Sequence, residues 1–490
     1  MAAKRVLAIA LAGLGVLAAA VAVNTVRNGS HQLTVKPAPL LPIDETAAAQ
    51  RLAEGLRFVT ISDYQDPNAN AAEFDKLHDH LRASFPRVHA ALKRELINGR
   101  TLLYTWEGTD AKAAPAMWMA HQDVVPIAPG TEKAWQQAPF GGAVQDGFIW
   151  GRGAWDDKGN LYAQLEAVEM LLASGYQPRR TLYLAFGADE EVGGTRGAAA
   201  IAQLMKERNV RFEYVLDEGL LITHGVVPGL KAPAALIGVA EKGYASLRLD
   251  LETTPGHSSM PPQQTAIGMM SKALVALETQ QMPVRLAGLP QQSFETLAPE
   301  MGGVNRVVLS NFWLFSPLLE RMLVKTPSVN ALTRTTTALT VVNAGMKDNV
   351  LPGTASATVN FRLLPGDTLA QVKEHVRSAI GNDAIRISDA VSSNTEASRV
   401  ARQDGTGYAA VNRTIREVFA DVVVAPGLMV GATDSRYFDK MSDSVLKFGP
   451  VRATPEDLPR FHGTNERMSV KGYADMIRFY HQLLKNSSAQ

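Results

Sequence analysis

The chain contains no cysteine, and this absence removes several kinds of chemistry at once. It excludes disulfide bonds, thiolate metal ligands and a cysteine nucleophile, although it does not identify the redox compartment. An excess of charge is also missing, because 49 basic residues balance 48 acidic ones and leave a formal net charge of +1. Without a basic stripe, nucleic-acid binding has no electrostatic support, and we expect no nucleic-acid partner.

The sequence also lacks internal repeats and low-complexity tracts, and its composition is that of a folded protein. Hydrophobic residues make up 46% of the chain and charged residues 20%. These fractions are typical of globular proteins rather than disordered ones. The length of 490 residues exceeds the size at which a single hydrophobic core usually stops growing. We therefore expect two domains.

A long apolar run lies close to the N-terminus. Lys4 and Arg5 precede apolar residues 6–23, and the small residues at 20–22 resemble a cleavage site. The run is long enough to cross a bilayer. Two interpretations therefore remain for residues 1–23: a cleaved signal peptide, or an uncleaved membrane anchor. Both predict an exported protein, with its body periplasmic or extracellular.

Strand-like and helix-like patterns alternate along most of the chain. In residues 44–243 and 391–490 this alternation predicts an α/β domain with a mostly parallel sheet. Residues 244–390 follow the order β-α-β-β-α-β, which is typical of a ferredoxin-like α+β domain inserted into the larger one. An extra segment at 283–330 is rich in Leu, Pro and Met. It is either an elaboration over the substrate site or a surface loop with a local apolar patch.

Acidic residues and histidines follow several of the strand-like runs. Carboxylates are rarely buried beside core strands unless they are paired or hold a cation. In open α/β sheets, ligands bind at the carboxyl ends of the strands, so one crevice can collect such residues. Their oxygen and nitrogen donors suit zinc or a similar divalent ion. The residues are His121, Asp123, Asp156, Asp189, Glu190, Glu191 and Asp217, with His462 far downstream.

Four motifs give the chain a family resemblance. The segments HQDVVP at 121–126, GRGAWDDKG at 151–159, DEEVG at 189–193 and GHSSMP at 256–261 resemble the M20 metallopeptidase family. This family includes glutamate carboxypeptidases, dipeptidases and aminoacylases. The ending FHGTNER at 461–467 resembles the carboxypeptidase S and N-acyl-amino-acid hydrolase branch. The resemblance covers the chain from about residue 45 onwards.

The resemblance implies a metal site with two zinc ions per chain. Asp156 would bridge the two ions. His121 and Asp217 would complete one metal site, and Glu191 and His462 the other. A pair of divalent ions that shares a carboxylate is a common arrangement in hydrolases.

The resemblance also implies the catalytic and substrate-binding residues. Glu190 would be the general base, and Asp123 would accept the second ring N–H of His121 and fix its orientation. His257 in the inserted lid domain would stabilise the oxyanion, often across a dimer interface. Arg362 would bind a substrate carboxylate, and Asn349 would donate to the reacting carbonyl.

These residues predict a zinc-dependent hydrolase that cleaves an amide bond next to a free carboxylate, acting on short peptides as a carboxypeptidase. One alternative is an N-acyl (fatty-acyl) amino acid hydrolase or synthase, which the apolar segment at 283–330 would suit. An alternative of another class is a non-catalytic binding protein that retains the fold. Residues 6–23 are a candidate membrane tether, and the lid domain at 244–390 is a candidate homodimer surface.

Overall fold

The computed structural model describes residues 2–323, 325–391 and 393–488. Within these residues the helices are α1 (Ala2–Arg27), α2 (Glu45–Gly55), α3 (Ala71–Ser84), α4 (Pro86–Ala91), α5 (Lys158–Ala173), α6 (Ala198–Glu207), α7 (Ala266–Thr279), α8 (Leu289–Leu297), α9 (Gly303–Ser310), α10 (Phe312–Leu323), α11 (Pro327–Thr333), α12 (Leu369–Ile380), α13 (Thr406–Val418) and α14 (Val470–Ser488).

The same residues form strands that belong to four sheets. The strands are β1 (Lys93–Ile97), β2 (Thr101–Trp106), β3 (Ala116–His121), β4 (Ala143–Gln145), β5 (Phe148–Trp150), β6 (Leu182–Gly187), β7 (Tyr214–Thr223), β8 (Ala234–Glu241), β9 (Gly243–Glu252), β10 (Gly256–His257), β11 (Thr336–Ala344), β12 (Val350–Leu351), β13 (Thr354–Leu363), β14 (Ile385–Asp389), β15 (Val423–Met429), β16 (Val445–Ala453) and β17 (Arg467–Ser469).

An eight-stranded sheet forms the centre of the larger domain, in the order β1-β2-β6-β3-β7-β16-β8-β15. Parallel pairing joins β3 to β6 and β7, β7 to β16, and β8 to β15. Antiparallel strands β1 and β2 extend one edge. Strands β2 and β3 are buried along their whole length, as expected for a sheet covered on both faces. The predicted mostly parallel sheet is confirmed.

Helices cover both faces of this sheet and form its cores. On one face, α2, α5, α13 and α14 bury a large cluster that includes Trp118, Leu165 and Tyr480. On the other face, α6 packs Ile201 and Met205 into a smaller cluster. The helix α5 is buried over most of its surface because it lies between the sheet and α14. The domain is therefore a three-layer α/β sandwich.

The inserted domain has its own sheet and its own core. The strand order is β11-β13-β9-β14, with every pairing antiparallel. Helices α7 and α12 pack side by side on this sheet and bury a core that includes Phe361 and Val376. Along the chain the elements follow the ferredoxin-like order β9-α7-β11-β13-α12-β14. The predicted fold class is confirmed.

The segment predicted at 283–330 is folded rather than a surface loop. Its helices α8 to α10 share a core cluster with the edge strand β15, which includes Phe312, Leu319, Val423 and Ala425. The hydroxyl of Ser293 on α8 donates to the carbonyl of Pro426 on that strand. The segment is therefore an extension of the larger domain at one edge of its sheet.

The apolar N-terminal run forms the helix α1, which is long and apolar enough to cross a membrane. None of its residues is buried, and a signal sequence has the same length and composition. At its C-terminal end, the side-chain amide of Asn24 donates to the carbonyl of Ser310, and that of Asn28 to the Ser310 hydroxyl. Only the last turns of α1 therefore contact the rest of the protein through these side chains.

A buried histidine on α14 gives an expected pH dependence of stability. Burial, reinforced by Lys485, lowers the pKa of His481 from 6.5 to about 4. Between these two pH values the unfolded chain binds more protons than the folded one, so the free energy of unfolding falls as the pH falls from 6.5 towards 4. We expect the melting temperature of His481→Gln to depend less steeply on pH in this range, measured by circular dichroism. An unchanged slope would contradict the assignment.

Candidate metal centre and active site

The end of the parallel sheet positions the first part of the site. His121 is the last residue of β3, and it pairs in register with Gly187, the last residue of the neighbouring strand β6. A short turn at Glu190–Val192 follows β6. On the other side of β3, the parallel strand β7 carries Asp217 and Glu218. The carboxyl ends of β3 and β6 thus meet the middle of β7 at one crevice.

A small sheet brings the second part of the site to the same place. Strand β17 pairs with β5, so that Arg467 lies opposite Trp150. The loop that precedes β17 contains His462, and the loop that follows β5 contains Asp156. This antiparallel pairing explains how His462 reaches Asp156, which is far from it in sequence.

Glu466 fixes the loop that carries Asp156. It is fully buried, and its Oε1 accepts the backbone N–H groups of Gly153, Trp155 and Asp156 at 2.9–3.1 Å. Its Oε2 is paired with the guanidinium of buried Arg152. The sequence analysis did not single out Glu466 or Arg152, although both stand in the quoted motifs. Their signal was their charge next to the predicted ligands.

Two groups of possible ligands share the carboxylate of Asp156. In the first group, His121 Nε2 lies 2.9 Å from Asp156 Oδ1 and 3.6 Å from Glu218 Oε1. In the second, His462 Nε2 lies 2.6 Å from Asp156 Oδ2 and 3.3 Å from Glu191 Oε1. The potential ligand atoms within each group lie within 4.8 Å of one another. Asp156 therefore contributes one oxygen to each of the two groups of possible ligands.

The chemistry of these groups fits divalent cations. Two imidazoles and three carboxylates form a set of nitrogen and oxygen donors that zinc accepts. Several carboxylates are buried together, and burial followed by the charge of Asp156 raises the pKa of Glu218 to about 8. A bound cation favours the ionised form of such a group because it supplies the opposite charge.

The contacts of Asp217 set it apart from the other predicted ligands. Both of its carboxylate oxygens accept backbone N–H groups, Oδ1 from Glu218 at 2.9 Å and Oδ2 from Ser435 at 2.7 Å. These bonds hold Asp217 as a buried anchor for the Ser435 segment. Glu218, the next residue, points its carboxylate at His121 instead. We therefore propose Glu218 in the ligand role predicted for Asp217.

Substituting Glu218 and Asp217 one at a time separates the ligand role from the structural role. Glu218→Gln is expected to lower the metal content towards one ion per chain, with little change in melting temperature. Asp217→Ala is expected to leave the Ser435 N–H unpaired and to cost about 1–3 kcal/mol of stability. Elemental analysis and thermal unfolding of both variants measure the two effects. Loss of metal in Asp217→Ala together with full metal in Glu218→Gln would restore the original prediction.

Asp123 contacts both His121 and the turn that carries Glu190 and Glu191. The backbone carbonyl of Asp123 lies 2.9 Å from His121 Nδ1, whereas its carboxylate Oδ1 lies 3.5 Å away. The carboxylate accepts the backbone N–H groups of Glu190 and Glu191, both at 3.1 Å, and the hydroxyl of Ser62 at 2.6 Å. It therefore positions the two glutamates, while the carbonyl contacts the imidazole.

Glu190 and Glu191 have different surroundings. Glu191 lies beside His462 in the second group, whereas Glu190 belongs to neither group of potential ligands. Burial raises the pKa of Glu190 well above its ordinary value, against the opposing charge of His121, and the charge of Asp434 adds to the rise. A carboxylate with a raised pKa beside a cation site is suited to accept a proton.

The segment 433–437 packs against the turn that carries Glu190 and Glu191. The guanidinium of Arg436 and the hydroxyl of Tyr437 both donate to the carbonyl of Gly193, at 2.8 and 2.6 Å. Asp434 lies close to Gly187 at the end of β6, buried and without a hydrogen-bond partner among the described residues. A side chain at Gly194 would collide with its carboxylate. Close packing of this segment thus fixes the turn that carries Glu190.

The predicted lid residues lie apart from this centre. His257 and Asn349 are exposed, and they are held near each other by the pairing of β10 with β12. His257 Nδ1 lies 2.8 Å from the hydroxyl of Ser259. Arg362 stacks its guanidinium 4.8 Å above the ring of Tyr244 on the next strand. Among the described residues, no hydrogen bond or ion pair joins these three residues to the two groups of possible metal ligands.

Comparison with known families identifies the family of the chain. A model of peptidase family M20/M25/M40 matches residues 117–486, which include every residue of the two ligand groups. The chain belongs to peptidase family M20. It is therefore a metal-dependent hydrolase, and the family predicted from the four motifs is confirmed.

Relatives within family M20 fall into the predicted branch. The chain is 39% identical over 442 residues to an N-fatty-acyl-amino acid synthase/hydrolase PM20D1 of Xenopus tropicalis, covering 89% of this chain and 85% of that protein. It is 38% identical over 474 residues to a probable carboxypeptidase S-like 2 of Dictyostelium discoideum, covering 95% and 91%. It is 30% identical to carboxypeptidase S of Saccharomyces cerevisiae, covering 91% and 85%.

Solved structures of M20 enzymes share the fold. An M20 family metallo-carboxypeptidase from Sulfolobus solfataricus superposes with a TM-score of 0.66 at 19% identity, covering 92% of this chain and all of that one. Human carnosine dipeptidase 1 superposes with a TM-score of 0.60 at 16% identity, covering 91% and 97%.

Proposed function

We propose that this chain uses two zinc ions to hydrolyse the amide bond of N-acyl amino acids, with the free carboxylate of the amino acid next to the scissile bond. The arrangement of Asp156 between two groups of ligands, with Glu190 beside them, carries the proposal. The first group is His121, Asp156 and Glu218, and the second is Asp156, Glu191 and His462.

The chemistry divides between the metal site and the side chains. Two bound zinc ions would supply a polarised water and a polarised carbonyl oxygen. Glu190 takes a proton from the attacking water and delivers it to the leaving nitrogen. Asp123 keeps Glu190 in place through the backbone N–H that its carboxylate accepts. His257 donates to the developing oxyanion when the lid closes over the site.

The inserted domain supplies substrate recognition in this proposal. Arg362 offers a planar guanidinium that matches a carboxylate, and Asn349 offers an amide donor to the reacting carbonyl. We take residues 44–243 with 391–490 as the catalytic domain and 244–390 as the inserted lid, although its segment 283–330 packs on the catalytic domain rather than on the lid sheet. Strand β11 lies at the edge of the lid sheet and exposes Val341 and Val342, which supports a homodimer through this edge.

Two observations favour an acyl chain on the nitrogen side of the bond. The segment 283–330 adds an apolar helical layer to the domain, next to the C-terminal end of α1. Relatives at 36–41% identity are N-fatty-acyl-amino acid synthase/hydrolases. Short peptides are the second candidate substrate class, because the carboxypeptidase S relatives cover the chain equally well.

Three substrates with the same leucine test the proposal. We expect N-palmitoyl-leucine to show a higher kcat/KM than glycyl-leucine. N-palmitoyl-leucinamide lacks the carboxylate. We expect its kcat/KM to be roughly 10- to 100-fold lower than that of N-palmitoyl-leucine because a charged hydrogen bond is lost. Faster turnover of glycyl-leucine would favour the peptide class. Equal turnover of the acid and the amide would remove the role of Arg362.

We also propose that α1 remains attached and anchors the protein with its body outside the cytoplasm. The hydrogen bonds of Asn24 and Asn28 to Ser310 support this, because they give the end of α1 a defined place on the folded body. N-terminal sequencing of the protein isolated from membranes tests the proposal. A mature chain that begins after residue 22 would show a cleaved signal instead.

A further inference from the structure

Helix α10 carries large apolar residues on both its buried and its exposed side. Its inner face buries Phe312 and Leu319 in the cluster at the edge of the large sheet. Its outer face exposes Trp313, Leu318 and Met322, whose exposed fractions are 59%, 52% and 57%, and the charged residues Glu320 and Arg321 are also exposed. Large apolar residues exposed together with charged ones are typical of a helix that lies in a membrane interface. The outer face of α10 therefore needs an apolar partner.

The position of α10 next to α1 identifies this partner. Helix α10 begins directly after Asn311, and the side-chain amide of Asn311 donates to the hydroxyl of Thr25 in the last turns of α1 at 2.8 Å. The amide of Asn24 donates to the neighbouring Ser310 carbonyl. The polar end of a membrane-length helix is thus attached to the start of the helix whose outer face is apolar. Where α1 leaves the bilayer, α10 meets the same surface.

Charged and aromatic side chains at this junction suit a phospholipid surface. Arg27 ends α1, and the guanidinium of Arg306 on α9 lies 3.5 Å from the carbonyl of Asn28. Arg321 lies among the exposed apolar residues of α10. Arginine attracts anionic headgroups, and tryptophan, here Trp313, prefers the interface between headgroups and acyl chains.

We propose that α10 lies in the interface of the bilayer that α1 spans, with Trp313, Leu318 and Met322 in contact with lipid. The inference rests on the retention of α1 proposed above. Contact at α10 gives the body a second attachment and a fixed orientation, with the β15 edge of the large sheet towards the membrane. A single tether would leave the body free to turn.

The absence of cysteine allows a direct test, because one introduced cysteine is the only thiol in the chain. Leu318→Cys and Met322→Cys are labelled with a polarity-sensitive fluorophore in the full-length protein. The protein is reconstituted into phosphatidylcholine/phosphatidylglycerol vesicles. Quenching is measured with a lipid-attached doxyl group and with aqueous iodide. Leu11→Cys in α1 reports insertion of the anchor.

Leu96→Cys is the matched control for exposure. Leu96 is an apolar residue with an exposed fraction of 48%, and its strand β1 lies at the edge of the large sheet opposite β15. We expect the labels at 318, 322 and 11 to be quenched by the doxyl lipid and shielded from iodide. We expect the label at 96 to show the reverse.

Three results would overturn the inference, and each has a separate meaning. Labels at 318 and 322 that behave like the label at 96, while the label at 11 is quenched by lipid, would show an anchor without contact at α10. Shielding from iodide without quenching by lipid would show that a second copy of the chain covers α10. A label at 11 that lipid does not quench would show that α1 itself does not insert, which leaves the proposed hydrolytic activity untouched.

Discussion

Glu190→Gln lowers kcat by about 10²–10⁴-fold and leaves the metal content unchanged. The amide cannot accept the proton that the attacking water loses, but it occupies the same volume. Neither oxygen of Glu190 belongs to the two groups of ligands, so the cation positions keep their donors. Elemental analysis and steady-state kinetics on N-palmitoyl-leucine measure both quantities on one preparation.

Glu191→Gln is the matched control, because it makes the same chemical change at the next residue. Glu191 Oε1 lies 3.3 Å from His462 Nε2 in the second ligand group. This variant is expected to lose metal together with activity, and added zinc should restore part of the activity. Full activity in Glu190→Gln would remove it from the mechanism. Loss of metal in that variant would make it a ligand.

Glu466→Ala destabilises the protein by about 3–5 kcal/mol and prevents assembly of the metal centre. The substitution leaves the buried guanidinium of Arg152 without its carboxylate. It also removes the acceptor of the three N–H groups that hold the Asp156 loop. Denaturant unfolding and metal content measure the two losses.

Two further variants separate charge burial from loop positioning. The double variant Arg152→Met, Glu466→Met removes both buried charges, and it is expected to recover stability relative to Glu466→Ala. It should not recover metal binding, because the loop still lacks its acceptor. Asp457→Asn weakens the more exposed pair with Arg460, whose atoms are 3.7 Å apart, and should cost at most about 1 kcal/mol. Equal stability of Glu466→Ala and Asp457→Asn would contradict this assignment.

The sequence predicted the elements whose patterns are long and regular. The order β-α-β-β-α-β of the inserted domain was predicted because its patterns are regular. In α12, for example, Val372 and Val376 lie on one buried face and Thr368 caps the start. Short or unpatterned strands were not predicted: β5 and β17 have three residues each, and their pairing depends on residues far apart in sequence.

The candidate site was predicted in its residue types but not in each contact. Asp217 and Glu218 are neighbours at the same strand, and only the three-dimensional structure shows which carboxylate faces His121. The Ser435 segment accounts for this difference, because the backbone N–H of Ser435 donates a hydrogen bond to the carboxylate of Asp217. Glu466 was missed because three of its partners are backbone groups and the fourth, Arg152, lies far away in the sequence, so that its charge beside the predicted ligands was the only signal.

The pairing of Glu466 with the loop at 152–156 also determines when the active site can form during synthesis of the chain. Arg152 and Glu466 are separated by 314 positions in the chain. Domains form as the chain emerges during synthesis, yet the Asp156 loop cannot acquire its acceptor until Glu466, which follows the last strand of the large sheet, has been made. A nascent chain therefore lacks a complete metal centre until that point. Amide hydrolysis begins only after residues 462–466 have joined the folded body.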